Sequence, residues 1–552
     1  MRRTTRGWRL GLGAAALLLV TPIAIVATVS QADGATGATS SAAAGPAPTI
    51  NWALSGSATA TTAETSNPAS NAVDGDAGTD WCTSGWTGTL TIDLGQARAL
   101  SDLGITLDSA SPSASATIEL ATTAGDWQQV AGLRNVALDP GSPMYFPLPH
   151  GTSARYAELT VFSDTGADVC VGEVRAYGPD RAASGMDLGG DLSFTPQELA
   201  AGATFSYQGK QGTPVTIMHQ AGSNFVRMRL WVDPPPGYSN LASDLALAKQ
   251  VEASGMRIYL DIMYSDFWAD PQHQDIPASW QGQDLAQLTD TVRSYTQQVI
   301  SAFAAQDTPV AIVSIGNEIR NGILWPIGEV NCTNCGGWAN LAQLLKAGVA
   351  GAQAGNPPGH KLLIMMHYDQ GGNNALSSAF YSQLQSSGVP FDVIGLSYYP
   401  FFHGPISAMR ANVDALATQF HKPIIIAETQ YAWTLANGNS PLGDSTGDFV
   451  WQTSQLSPGY PATPGGQLSF VTDELSILAQ VPDGLGAGLF YWAPDWIPGV
   501  PWTPGAGIGS PNVNLTLFNF GGQALPSMGL FGNPAQVCEQ ANPGITPCVI
   551  GG

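Results

Sequence analysis

Between residues 185 and 531, short apolar runs of strand length alternate with longer runs of helical period. NFVRMRLWV is followed by LASDLALAKQVEASG, MRIYLDIMY by LAQLTDTVRSYTQQVISAFAAQ, VAIVSIG by WANLAQLLKAGVAGAQAG, and KLLIMMH by SSAFYSQLQSSG. DVIGLSYY then precedes SAMRANVDALATQF, PIIIAET precedes QLSFVTDELSILAQV, and GAGLFYW closes the series, with SGMDLGG as its first strand. A parallel crossover needs a helix-length connection, so this alternation reads as a parallel sheet. Eight such strands predict a closed (β/α)8 barrel, a fold that carries its reactive groups at the C-terminal strand ends.

The chain has 552 residues, too many for the barrel alone. Residues 50–178 have another character: TLTIDLG, ATIELAT and RYAELTVFS alternate with period two between turn residues, as in an all-β sandwich. Residues 33–49 are small and Ala/Gly/Ser/Pro-rich, a linker composition. Residues 1–32 place basic residues before an apolar stretch and small residues after it, a secretory signal pattern. The stretch is also near the length of a membrane span, so an uncleaved anchor is the rival reading. The net charge of −22 disfavours nucleic acid and anionic membranes as partners, while a neutral polysaccharide meets no electrostatic penalty.

An exported chain with six cysteines is expected to oxidise them. Sequential nesting pairs Cys82 with Cys170, Cys332 with Cys335, and Cys538 with Cys548 in the tail of residues 532–552. A zinc site at CTNC is the alternative, and it lacks a second ligand pair nearby.

Two carboxylates stand out. Glu318 follows the fourth strand in VAIVSIGNE, and Glu428 ends the seventh in PIIIAE. Both are therefore expected at the mouth of one barrel, as a retaining glycosidase requires of its acid/base and its nucleophile. For either Glu alone a structural ion pair is an adequate explanation; for two at strand ends it is a poor one. Asn317, beside the acid, is placed to bond a sugar 2-hydroxyl. Arg227 and Arg229 share one face of the second strand, and Arg229, nearer its C-terminal end, is the expected counter-ion of the nucleophile. Aromatic residues gather at strand ends: Trp231, Tyr264, Trp268, Trp325, Tyr398, Tyr399, Phe401, Phe402, Trp433, Tyr491, Trp492 and Trp496. Some are packing and others are platforms for sugar rings. The residues expected to bind substrate are Asn317, Arg229, Asp266, Trp268, Trp325, Tyr399, His403 and Trp492.

The stretches FVRMRLWVDPPPG, YSDFWADPQHQDIPASW, VSIGNEIRNGILWPIGE, FDVIGLSYYPFFHG, IIIAETQYAWT and NLTLFNFGGQALPSM resemble glycoside hydrolase family 53, the endo-β-1,4-galactanases of clan A. The resemblance spans almost all of residues 185–531. It implies retaining hydrolysis of galactan or arabinogalactan of the plant cell wall, with Glu318 as acid/base, Glu428 as nucleophile and no cofactor in catalysis. A secreted monomer is expected. The family carries His at the position of Met263 and Glu at that of Ala493. The acidic loop that binds calcium in bacterial members has no clear match in TLANGNSPLGDSTGD, and that site is not carried over.

Residues 50–178 resemble a discoidin-like module (coagulation factor type C) through NWALSGSATA, NAVDGDAGTDWCT, LTIDLG and CVGEVRAYG. That resemblance implies sugar binding and a structural calcium near Asn71, Asp74, Asp76, Thr79 and Glu173; a plain Asp-Gly turn is the alternative. Both carboxylates lie in the barrel, so the module is expected to be dispensable for turnover on soluble oligosaccharides. Two functional rivals stay open: another clan A β-glycanase or exo-acting β-galactosidase, and a polysaccharide-binding protein of weak catalysis.

Overall fold

The computed structural model describes residues 49–130, 132–141, 143–149, 151–179, 185–234, 237–502 and 507–531. The expected signal segment, almost all of the expected linker and the expected Cys538–Cys548 pair lie outside them. No helix among the described residues is long and apolar enough to cross a membrane.

The N-terminal region is a sandwich of a five-stranded and a six-stranded antiparallel sheet. Thr87–Ala99 buries every second residue through Leu90, Ile92 and Leu94, and Ala114–Ala121 repeats the pattern opposite the same strand, Ser153–Ser163. Alternation at period two puts one face of each strand into the core. The disulfide Cys82–Cys170 joins directly paired positions of neighbouring strands. Cys332 and Cys335 are also joined, which excludes the zinc reading.

The second region is the closed parallel barrel. Its strands are β1 (Asp187–Asp191), β2 (Phe225–Leu230), β3 (Arg257–Ile262), β4 (Val310–Ile315), β5 (Leu363–Tyr368), β6 (Val393–Tyr398), β7 (Ile424–Thr429) and β8 (Gly486–Tyr491). Helices cover it, and each apolar strand is buried on both faces, hence its unbroken hydrophobic pattern. Phe225, Tyr259, Ile312, Met365, Val393, Ile425 and Phe490 form a separate apolar cluster. Two residues further along, Arg227, Asp261, Ser314 and His367 form a buried polar layer. In a barrel such alternate positions stack as layers.

The two regions share buried polar contacts. Arg175 of the sandwich pairs with Asp473 of the helix Pro464–Ala479 at 2.8 Å, both fully buried. Asn51 donates to Asp473 Oδ1 (3.3 Å) and through its backbone N–H to Ser476 Oγ (2.9 Å), while Gln480 donates back to the Asn51 carbonyl (2.9 Å). Gly459 packs so closely against Ala77 that an added Cβ would lie 2.0 Å from the alanine methyl.

Candidate active site

Local backbone features, and not strand alternation alone, aim the two carboxylates. From Ile425, simple alternation puts Ala427 and Thr429 inward and Glu428 outward. The pairing of β6 with β7 jumps from Leu396–Ile426 to Ser397–Glu428, a bulge that adds one residue at Ala427. The bulge re-aims the following side chain. Glu428 thus enters the barrel mouth, and Thr429 turns outward to give its hydroxyl to Glu474 (2.8 Å). On the other side, Gly316 (φ +88°) and Glu318 itself (φ +47°) adopt left-handed backbone after β4. A non-glycine residue held there is strained, a feature concentrated at functional sites.

One oxygen of Glu318, one of Glu428 and one ring nitrogen of His367 lie within 4.8 Å of one another. Arg227 Nη2 donates to Glu428 Oε1 (2.7 Å), and the Tyr399 hydroxyl donates to Oε2 (2.8 Å). Burial pushes the Glu428 carboxyl up, and these two donors oppose it. Glu318 is pushed well above the usual carboxylate range by burial and by the facing negative charges of Glu428 and Asp369, with the Ser397 hydroxyl alone opposing. Of the pair, Glu318 is raised the more strongly, and Glu428 is the one that faces a cation.

A cleft of about 420 Å³ opens above the pair. Five of the expected substrate-binding residues line it: Asn317, Trp268, Tyr399, His403 and Trp492. Asn317 is oriented by donating to the Ala269 carbonyl (2.8 Å) and accepting from Arg227 (3.1 Å). Phe402, 61% exposed, offers an aromatic face at the rim. Met263 also lines the cleft, with its sulfur accepting the Trp231 indole N–H (3.2 Å).

Three expected residues do not line it. Arg229 is fully buried among Phe194, Trp268 and Trp231, with its guanidinium carbon 4.0, 4.6 and 4.8 Å from their ring centres. Its nearest carboxylate oxygen is on Asp191 at 3.9 Å, so Arg227 and not Arg229 is the counter-ion of Glu428. Asp266 is occupied by the backbone N–H groups of Asp233 and Ala278. Trp325 gives its indole N–H to the Asn321 carbonyl and braces the loop after β4.

Sequence reading overlooked His367 and Ser397, together with Asp369, Arg320, Gln430, Phe449, Trp502 and Asn512 of the cleft wall. A usable signal existed for His367 and Asp369, which share the inward parity of Met365 on β5. In the sandwich, Glu173 is wholly buried, with Oε2 taking the Gly75 N–H (3.1 Å) and Oε1 without a partner among the described residues. Asp74 takes the Asp76 N–H and the Thr79 hydroxyl, and Asn71 lies in the same turn. Asp76 is directed elsewhere, to the Gly78 N–H and to Ser407 of the barrel (3.3 Å).

A (β/α)8 barrel with two facing carboxylates in an aromatic cleft defines a glycoside hydrolase. Residues 187–531 match the family model of glycosyl hydrolase family 53, and the chain belongs to that family. Residues 57–173 match the F5/8 type C domain. A probable arabinogalactan endo-beta-1,4-galactanase A of Neosartorya fischeri is 36% identical over 317 residues, covering 56% of this chain and 84% of that protein. The arabinogalactan endo-beta-1,4-galactanase of Thermothelomyces thermophilus is 33% identical over 350 residues, covering 62% and 98%. Among solved structures, the Ignisphaera aggregans GH53 catalytic domain superposes with a TM-score of 0.57 at 32% identity, covering 63% of this chain and 95% of that one.

Proposed function

We propose that the chain is an exported endo-β-1,4-galactanase that hydrolyses galactan or type I arabinogalactan with retention. The carrying observation is the close pair of carboxyl groups, with oxygens within 4.8 Å, of which Glu428 alone has a cation. Retaining enzymes hold their carboxyl groups about 5–5.5 Å apart, leaving no room for a water between the second carboxylate and the anomeric carbon. In the first step a Glu428 oxygen bonds to the anomeric carbon, the glycosidic C–O bond breaks, and the leaving oxygen takes the Glu318 proton. In the second, Glu318 removes a proton from water, whose oxygen displaces Glu428. Proton NMR of early products tests this: β-configured ends appear first, and α-configured ends overturn retention. Oligosaccharides from linear galactan support endo action, and galactose alone rejects it. Galactan turnover by Glu428→Ala near that of the unchanged enzyme rejects the nucleophile.

The sandwich is proposed to hold the enzyme on polysaccharide and to carry a structural calcium. Buried Glu173, with one unpartnered oxygen beside the desolvated Asp74, suits a hard cation with oxygen ligands. Asn71 and Thr79 complete the candidate ligand set, and Asp76 contributes to the barrel contact instead. Chelation is expected to lower the melting temperature, and Glu173→Gln to abolish that shift; a melting temperature indifferent to chelator counts against the ion.

A further inference from the structure

Beneath Glu318, side chains of β5 and β6 form a short hydrogen-bond chain. Ser397 Oγ donates to Glu318 Oε1 (2.6 Å), and His367 Nε2 lies 2.9 Å from Ser397 Oγ. A serine hydroxyl has one proton to give. With that proton committed to Glu318, Ser397 accepts from His367, so the imidazole hydrogen sits on Nε2. His367 Nδ1 is left bare, and it has no partner among the described residues in a fully buried ring. The reversed chain would put the hydrogen on Nδ1, where no acceptor waits, and buried orphan N–H groups are rare.

This polarity bears on the reaction. Oε1 of Glu318 is an acceptor in a short contact, and a proton on it would place two hydrogens between the same two oxygens. Oε2 has no protein partner among the described residues, and Glu318 lines the cleft. We infer that His367 and Ser397 are positioning residues that keep the transferable proton of the acid/base on Oε2, toward the leaving oxygen. The inference rests on the proposed role of Glu318. Burial and Arg227 on β2 push the His367 imidazole well below its ordinary value, so the ring stays neutral and the chain keeps one direction. The other ionisable groups facing Glu318 are Glu428 on β7, Asp369 after β5, Tyr399 after β6 and Asp270 in the loop after β3.

The test compares galactan with 2,4-dinitrophenyl β-galactobioside, whose leaving group departs without a proton. Ser397→Ala and His367→Leu are expected to lower kcat/KM on galactan by about tenfold or more, part of what a positioned general acid supplies. On the activated glycoside the first-step loss stays under about threefold, because no acid is needed there. Losing a hydrogen bond donated to a carboxylate raises its pKa, so the alkaline limb of the galactan profile moves to higher pH in Ser397→Ala. His367→Gln, which keeps a donor, recovers galactan activity relative to His367→Leu. Equal losses on both substrates, an undiminished galactan rate or an unmoved limb overturns the inference. If His367→Leu fails to fold, Ser397→Ala decides alone. Glu318→Ala separates the two readings: undiminished galactan activity rejects the acid/base role itself, whereas its loss beside a normal Ser397→Ala rejects the positioning role alone.

Discussion

Arg227 touches three acceptors through one nitrogen, on Glu428, Asp261 and Asn317, and a fourth on Asp191 through the other. It is therefore the hub of the buried polar layer. Replacing it with Met leaves Glu428 without its cation. We expect kcat/KM to fall by about a hundredfold or more, on the scale of losing a transition-state electrostatic contact. The Glu428 carboxyl then rises further, so the acid limb of kcat/KM moves to higher pH; an acid limb left in place rejects the pairing. Met263 is fully buried beside Trp231 and Ala269. Its sulfur accepts the Trp231 indole N–H and Trp268 packs against the same cluster, while the Tyr264 hydroxyl is engaged with Thr296. Met263→Leu leaves the Trp231 N–H buried without an acceptor, which costs about 1 kcal/mol in urea unfolding. The presence of a cationic residue on β2 was legible from alternation. The choice between Arg227 and Arg229 was not, because barrel strands are staggered and height above the floor does not follow from counting back from a strand end.

At the scale of elements, the helix Pro464–Ala479 joins the two regions and the site. All residues from Gly465 to Leu478 are buried, as expected of a helix covered on every side. Its Asp473 pairs with Arg175 and also accepts from Tyr460 (2.8 Å), and its Glu474 holds Thr429 beside Glu428. Asp473→Ala leaves Arg175 buried without its partner, and breaking such a pair costs about 3–5 kcal/mol. Denaturant unfolding of the whole chain measures it; a change under about 1 kcal/mol means that solvent reaches the arginine. Strand β7 was legible as PIIIAET, but its bulge was not. An extra residue changes which face each later side chain takes, and that change comes from the pairing partner rather than from local composition.

At the scale of the whole molecule, the sandwich is part of the structure around the barrel. Deleting residues 50–178 uncovers one side of the helix Pro464–Ala479 and leaves Asp473 without the Arg175 and Asn51 contacts. The truncated chain is expected to melt at lower temperature and to aggregate, with activity lost alongside folding. A soluble truncated barrel with an unchanged melting temperature and unchanged turnover on soluble oligosaccharides would restore the picture of a dispensable module. The sequence by itself determined the two regions, the order of the eight barrel strands and the two carboxylates at the ends of β4 and β7, because strand alternation and strand-end position are local in the chain. Tertiary structure alone decided which arginine meets Glu428, that Asp266 and Trp325 brace loops, that His367 and Ser397 stand under Glu318, and that the sandwich is anchored to a barrel helix. Each depends on contacts between residues far apart in sequence, whose distances are set by strand stagger, a bulge and helix packing.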